Sequence, residues 1–176
     1  MVTINSGKNP RLTLVLGGAR SGKSALAERL LTAGQGPWAY VATAQAFDDE
    51  MRERIAQHRA RRADGWVTFE APVDLAGTLG KAGDQPVLVD CLTLWLSNLM
   101  LGGYDVALAT DALIVALSDR TKPCILVSNE VGLGIVPDNA LARLFRDEAG
   151  RLNQRMAEAA DRVVFVAAGL HLTLKG

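Results

Sequence analysis

Excess charge of one sign, cysteine, aromatic residues and long apolar runs are all scarce in this chain, and each shortage excludes something. Lysine and arginine total 19, and so do aspartate and glutamate. That balance argues against a broad nucleic-acid or membrane-surface binder, which needs a basic field. Aromatic residues make up 5% of the sequence, and no basic–aromatic stretch is evident on which a single strand would stack. Only two cysteines occur, Cys91 and Cys124, each at the edge of an apolar run. They read as reduced core thiols of a cytosolic protein. No apolar run is long enough to span a bilayer. The stretch before Arg11 has no apolar segment of signal-peptide type, so a cytoplasmic location is expected.

What is present reads as one globular domain over residues 1–176. Hydrophobic residues make up 49% and charged residues 22%, enough to build a core without disulfides or metal staples. Short apolar runs alternate with helical patterns. Strands are expected over 12–16, 39–42, 66–69, 87–89, 125–128 and 163–167, with an edge strand over 170–174. Helices are expected over 25–31, 48–62, 73–79, 92–101 and 106–117, and a long one after Asp138, which would cap it. In that last helix Leu141, Leu144, Phe145, Leu152 and Met156 recur at helical spacing. This alternation, with continuous apolar strands, predicts an α/β fold: a mostly parallel sheet with helices on both faces.

The chemistry starts at Gly17, Gly18, Ala19, Arg20, Ser21, Gly22, Lys23 and Ser24, which fit G-x-x-x-x-G-K-[ST] completely. An apolar strand precedes them and a helix follows. Glycines let the main chain curl until successive N–H groups face phosphate oxygens, and the helix N-terminus adds partial positive charge. Lys23 is expected to reach the terminal phosphates and Ser24 to hold Mg²⁺. Arg20 reads equally as a phosphate contact or a solvated side chain. Asp90 ends the run Pro86-Val87-Leu88-Val89, where a metal-binding carboxylate sits in phosphate-loop proteins. On its own it would also serve as a strand-end turn residue.

There are two histidines. His171 lies near the end of the sequence beside leucines and reads as structural. His58 stands among Arg54, Arg59, Arg61 and Arg62. Two readings of it stand on the residues alone. One is a solvated basic helix face. The other is a neutral imidazole attacking phosphorus, with the arginines gathering phosphate oxygens and keeping the ring uncharged.

Further stretches tie these features together. They are Tyr40-Val41-Ala42-Thr43-Ala44-Gln45, then Asp48-Asp49-Glu50-Met51 with Arg54, Ile55 and His58, then Trp66, Glu70, Leu94 and Asn98. The most specific is Ser128-Asn129-Glu130-Val131-Gly132-Leu133-Gly134-Ile135-Val136-Pro137, continued by Arg146-Asp147 and by Ala149-Gly150-Arg151-Leu152-Asn153-Gln154. With these, residues 11–176 resemble the bifunctional adenosylcobinamide kinase / adenosylcobinamide-phosphate guanylyltransferase family.

The resemblance implies a phosphate-loop NTPase fold of RecA-like type, a homotrimer, Mg²⁺, and ATP or GTP as substrates. It implies phosphorylation of adenosylcobinamide. Transfer of GMP from GTP to that phosphate follows, by way of a guanylylated histidine that falls on His58. The family's nucleotide contacts fall on the phosphate loop and on Ala42, Thr43, Ala44, Arg59, Ala60, Arg61, Arg62, Glu70 and Asp90. The sequence departs from the family pattern in a slightly longer leader before Arg11. Asp90 stands where some members have glutamate, and Gln57 where some have a second histidine. The nearest rival is a small-molecule kinase without the transferase step. A RecA-like motor on nucleic acid is a second, disfavoured by the neutral charge. The glycine-bearing segment 129–137 is expected to wall the corrinoid site or to turn the chain only.

Overall fold

The computed structural model describes residues 10–45 and 65–176. The helix expected over 48–62 therefore lies outside the described residues. The other elements follow in the expected order. They are β1 (Leu12–Gly17), α1 (Lys23–Thr32), β2 (Trp38–Ala42), β3 (Trp66–Glu70), α2 (Leu75–Lys81), β4 (Val87–Asp90), α3 (Leu92–Leu101), α4 (Val106–Ser118), β5 (Cys124–Asn129), α5 (Ala140–Ala159), β6 (Arg162–Ala167) and β7 (Leu170–Lys175).

Seven strands form one sheet in the order β3-β2-β4-β5-β1-β6-β7. Every described pairing is parallel except that of β6 with β7. β1 sits between β5 and β6, and all six of its residues are buried. Its unbroken apolar sequence is what a strand covered on both faces requires. β5 lies between β1 and β4, so the phosphate-loop strand and the Asp90 strand are not neighbours.

Strand alternation divides the core in two. On one face Val15, Tyr40, Leu88, Ile125, Val127, Val164 and Val166 pack with Leu26, Ala27 and Leu31 of α1. On the other, Leu14, Val41, Val89 and Leu126 pack with residues of α2, α3, α4 and α5, among them Leu79, Trp95, Leu113 and Met156. Helices cover both faces, as expected, but α1 is the only described helix on its own.

Three helix starts differ from the sequence expectation. α1 begins at Lys23 rather than Ala25. α2 begins at Leu75 rather than Val73, because the Asp74 side chain accepts from Gly77 N at 2.9 Å and fixes the first turn there. For α5 the cap is Asn139, not Asp138. Its Oδ1 accepts from Leu141 N at 2.7 Å and from Ala142 N at 3.2 Å. The helix starts at Ala140, so only the side chain one residue earlier reaches the free N–H groups. His171 lies on the exposed edge strand β7, in register with Val166.

Candidate functional site

The site forms where β1, β2, β3, β4 and β5 end together. Gly17 closes β1 with φ 154°. A Cβ there would meet Val166 O at 2.3 Å and Ser21 Oγ at 2.8 Å, so no other residue fits the start of the loop without displacing β6. Gly22 caps α1 at φ 101°, in the left-handed region that glycine enters without penalty. The Gly169 N–H donates to Ser21 O at 2.9 Å and moors the loop to the β6–β7 turn. Ala19 and Arg20 are exposed, and Arg20 itself adopts φ 55°.

Lys23 is buried at the first turn of α1. Its Nζ donates to Gly18 O at 2.5 Å, folding the side chain across the loop. Burial pulls its pKa below 10.5, while the charges of Cys91 and Asp90 act in the opposite direction. A buried cation with one carbonyl partner is poised for an anion. Ser24 follows, half-buried.

Asp90 belongs to this side of the sheet by strand parity. Leu88 faces α1, so Asp90 two residues on does too. Tyr40, on the same face, donates its hydroxyl to Asp90 Oδ2 at 3.3 Å. Register places Asp90 beside Ala42 and Val127, and Glu70 beside Ala42. The structure thus gathers Gly17 to Ser24, Ala42, Thr43, Ala44, Glu70 and Asp90 on one rim. His58, Arg59, Ala60, Arg61 and Arg62 lie outside the described residues.

Thr43 proves to be a brace. It is fully buried, and its hydroxyl donates to Cys91 O at 2.7 Å while accepting from Cys91 N at 2.8 Å. Thr43 N donates to Asp90 O at 3.3 Å. Asn98 of α3 then ties this junction to the end of β3, donating to Thr43 O at 2.8 Å and to Pro72 O at 2.9 Å.

A second buried network holds the end of β5. Ser128 donates to Asn153 Oδ1 at 2.7 Å, Asn129 N donates to Thr93 Oγ1 at 2.7 Å, and Asn153 Nδ2 donates to Asn129 O at 3.2 Å. Glu130 N reaches Gly17 O at 3.0 Å. The residues that follow are open to solvent, with Leu133 82% and Ile135 97% exposed. Ser128, Asn129 and Asn153 carry the family resemblance but take no individual duty from sequence reasoning, and Thr93 does not stand out in it at all. The available signal is a polar residue on the buried face of an apolar element, which demands an internal partner. A cavity of about 390 Å³ lined by Leu79, Asp84 and Arg120 lies near the amino end of β4, away from these residues.

A family model described as cobinamide kinase / cobinamide phosphate guanyltransferase matches residues 13–174. The chain belongs to this family. Two relatives of this cobinamide kinase / guanyltransferase chain bear the same kind of name. The bifunctional adenosylcobalamin biosynthesis protein CobP of Pseudomonas aeruginosa is 52% identical over 167 residues, spanning 93% of this chain and 96% of that protein. The corresponding CobU protein of Salmonella typhimurium is 43% identical over 182 residues, spanning 93% and 99%.

Among solved structures, the flagellar accessory protein FlaH from Methanocaldococcus jannaschii superposes with a TM-score of 0.54 at 12% identity, over 94% of this chain and 78% of that one. A type III secretion ATPase does so with a TM-score of 0.52 at 12% identity, over 93% and 56%. These likenesses show a shared fold, the mostly parallel sheet with helices on both faces.

Proposed function

We propose that this chain transfers the terminal phosphoryl of a nucleoside triphosphate to the hydroxyl of adenosylcobinamide, then passes GMP from GTP to the new phosphate, giving adenosylcobinamide-GDP in cobalamin biosynthesis. The observation that carries this reading is the complete phosphate loop with Lys23 buried beside Asp90, in a chain of the cobinamide kinase / guanyltransferase family.

In the first reaction the loop N–H groups and the α1 N-terminus bind the phosphates. Lys23 leaves Gly18 O and places its charge on the transferring group. The donor set at the rim, one carboxylate (Asp90) and one hydroxyl (Ser24), suits Mg²⁺, which takes few protein oxygens and completes its shell with phosphate and water. When bound, Mg²⁺ supplies charge neutralisation on the phosphate oxygens. Asp90→Ala should raise the Mg²⁺ requirement or abolish activity. The exposed apolar side chains of segment 129–137 suit one wall of the corrinoid site.

In the second reaction a neutral His58 nitrogen attacks the α-phosphorus of GTP. A P–N bond forms and the P–O bond to pyrophosphate breaks. The phosphate of the acceptor then displaces histidine, making the P–O–P link of the product. Arg59, Arg61 and Arg62 neutralise the oxygens, and Ala42, Thr43, Ala44, Ala60 and Glu70 complete the nucleotide contacts. The enzyme works in the cytoplasm as a homotrimer.

The test uses GTP labelled in the α- or the γ-phosphate. The α-label should mark the protein in an acid-labile, comparatively base-stable bond, and the γ-label should not. His58→Ala should lose both the label and guanylyl transfer while still phosphorylating adenosylcobinamide. Normal α-labelling of His58→Ala moves the nucleophile elsewhere.

A further inference from the structure

Asn129 ends β5, directly in register with Gly17, the first residue of the phosphate loop. Strand parity decides where its side chain goes. Ile125 and Val127 pack on the α1 side of the sheet, whereas Cys124 and Leu126 pack on the other. Ser128 follows Leu126, and its hydroxyl indeed turns to Asn153 of α5 at 2.7 Å. Asn129 follows Val127 and presents its amide on the α1 side, the side of Lys23 and Asp90. β5 is also the strand between those of the phosphate loop and Asp90, so the amide stands between them.

The main chain of Asn129 is held at both polar atoms, by Thr93 Oγ1 at 2.7 Å and by Asn153 Nδ2 at 3.2 Å. Both bonds would survive truncation of the side chain. The residue is half-buried, and its side-chain amide takes no part in either bond. An amide donor carried on a main chain held at both polar atoms, on the lysine side of the strand that ends beside the loop, suits what a terminal phosphoryl needs as charge shifts onto its oxygens.

We propose that Asn129 is a catalytic residue of the phosphoryl transfer, donating from Nδ2 to an oxygen of the terminal phosphoryl of the nucleotide held by the phosphate loop. It distinguishes triphosphate from diphosphate, because only the former places an oxygen within its reach. This rests on the kinase reading above.

The test compares wild type, Asn129→Ala, Asn129→Asp and, as a control on the kinase reading, Lys23→Ala. Three quantities are read: adenosylcobinamide phosphorylation from γ-labelled triphosphate, and the affinities for a non-hydrolysable triphosphate and for the diphosphate. Asn129→Ala should lose about 100-fold in turnover, the scale for removing one oriented donor from a developing oxyanion. Its preference for triphosphate over diphosphate should fall about tenfold, with diphosphate affinity unchanged. Asn129→Asp, the same shape with a repelling charge, should fall further in turnover and in triphosphate affinity alone. A side chain that serves only the fold would leave the triphosphate-to-diphosphate ratio where it was. An unchanged ratio with wild-type turnover in Asn129→Ala overturns the proposal while a crippled Lys23→Ala leaves the kinase reading standing. Wild-type phosphorylation by Lys23→Ala removes the phosphate loop from the reaction, and the role of Asn129 falls with it.

Discussion

The hydroxyl of Thr43 is bonded in both directions to the main chain of Cys91, giving a hydrogen bond to its carbonyl and taking one from its N–H. The strand that carries Ala42 and the strand that carries Asp90 are thereby locked together just past their last paired residues. A threonine assigned to nucleotide contact thus spends its hydroxyl on aligning the carboxylate next door, and any contact it makes with nucleotide falls to its main chain.

Thr43→Val keeps the shape and removes both bonds, leaving the Cys91 N–H buried without that acceptor. The expected loss is about 1–3 kcal/mol of unfolding free energy, read from urea melts. Kinase activity should fall with it, because Asp90 is no longer fixed, and Thr43→Ser should restore both. Full stability in the valine variant would mean that the N–H finds another partner.

Lys23 gives a pH signature in the nucleotide-free protein. Its pKa is lowered from 10.5 by burial, so the folded state releases this proton at lower pH than the unfolded chain. The unfolded state then binds more protons between the lowered value and 10.5, and stability attributable to Lys23 rises with pH across that window. Denaturation midpoints of wild type should gain on those of Lys23→Met as pH climbs toward 10.5. Parallel curves would mean that the ammonium is solvated after all.

The cap of α5 separates two adjacent residues. Asn139→Ala should cost about 1 kcal/mol, a shift of about 2–4 °C in melting temperature for a domain of this size. Asp138→Ala should change it by a few tenths of a kcal/mol at most. Equal losses would show that the two residues share the cap.

The thiols should be inert. Burial, reinforced by Asp90, pushes Cys91 up to about 11, and burial pushes Cys124 up to about 12. Almost no thiolate exists at pH 8, and access is closed. A chromogenic disulfide reagent should titrate close to zero thiols in the native protein and two in denaturant. Fast labelling of one thiol in the native protein would expose a path to Cys91 beside the site.

What was legible in the sequence was whatever is local. The phosphate loop is one contiguous motif, and the strands are short apolar runs whose order needs no knowledge of packing. Asp90 could be placed because a buried strand ends on it. The braces were not legible, because they join residues far apart in the chain. Thr43 and Cys91 are 48 positions apart, Asn98 and Thr43 are 55, and Ser128 and Asn153 are 25. No spacing rule connects such pairs. Only the strand order, which interleaves β5 between β1 and β4, brings them to one rim. The cap of α5 was misplaced for a subtler reason: Asp138 and Asn139 are both good cap formers, and a one-residue difference in where the helix starts decides between them.

The parity of β5 has a consequence for how this protein tolerates change. Ser128 and Asn129 are neighbours serving opposite sides of the sheet, one turned to α5 and the other to the side of α1. Substituting either alters one side at a time. Inserting or deleting a single residue inside the strand does something different in kind, because it exchanges the two sides for every residue beyond it. Asn129 would then point to the side of α5, and Ser128 or Glu130 would take its place by the loop. Laboratory evolution of this chain should therefore accept volume-conserving apolar exchanges at the buried positions of β5, and length changes in the open segment beyond it, but never a change of length within the strand itself.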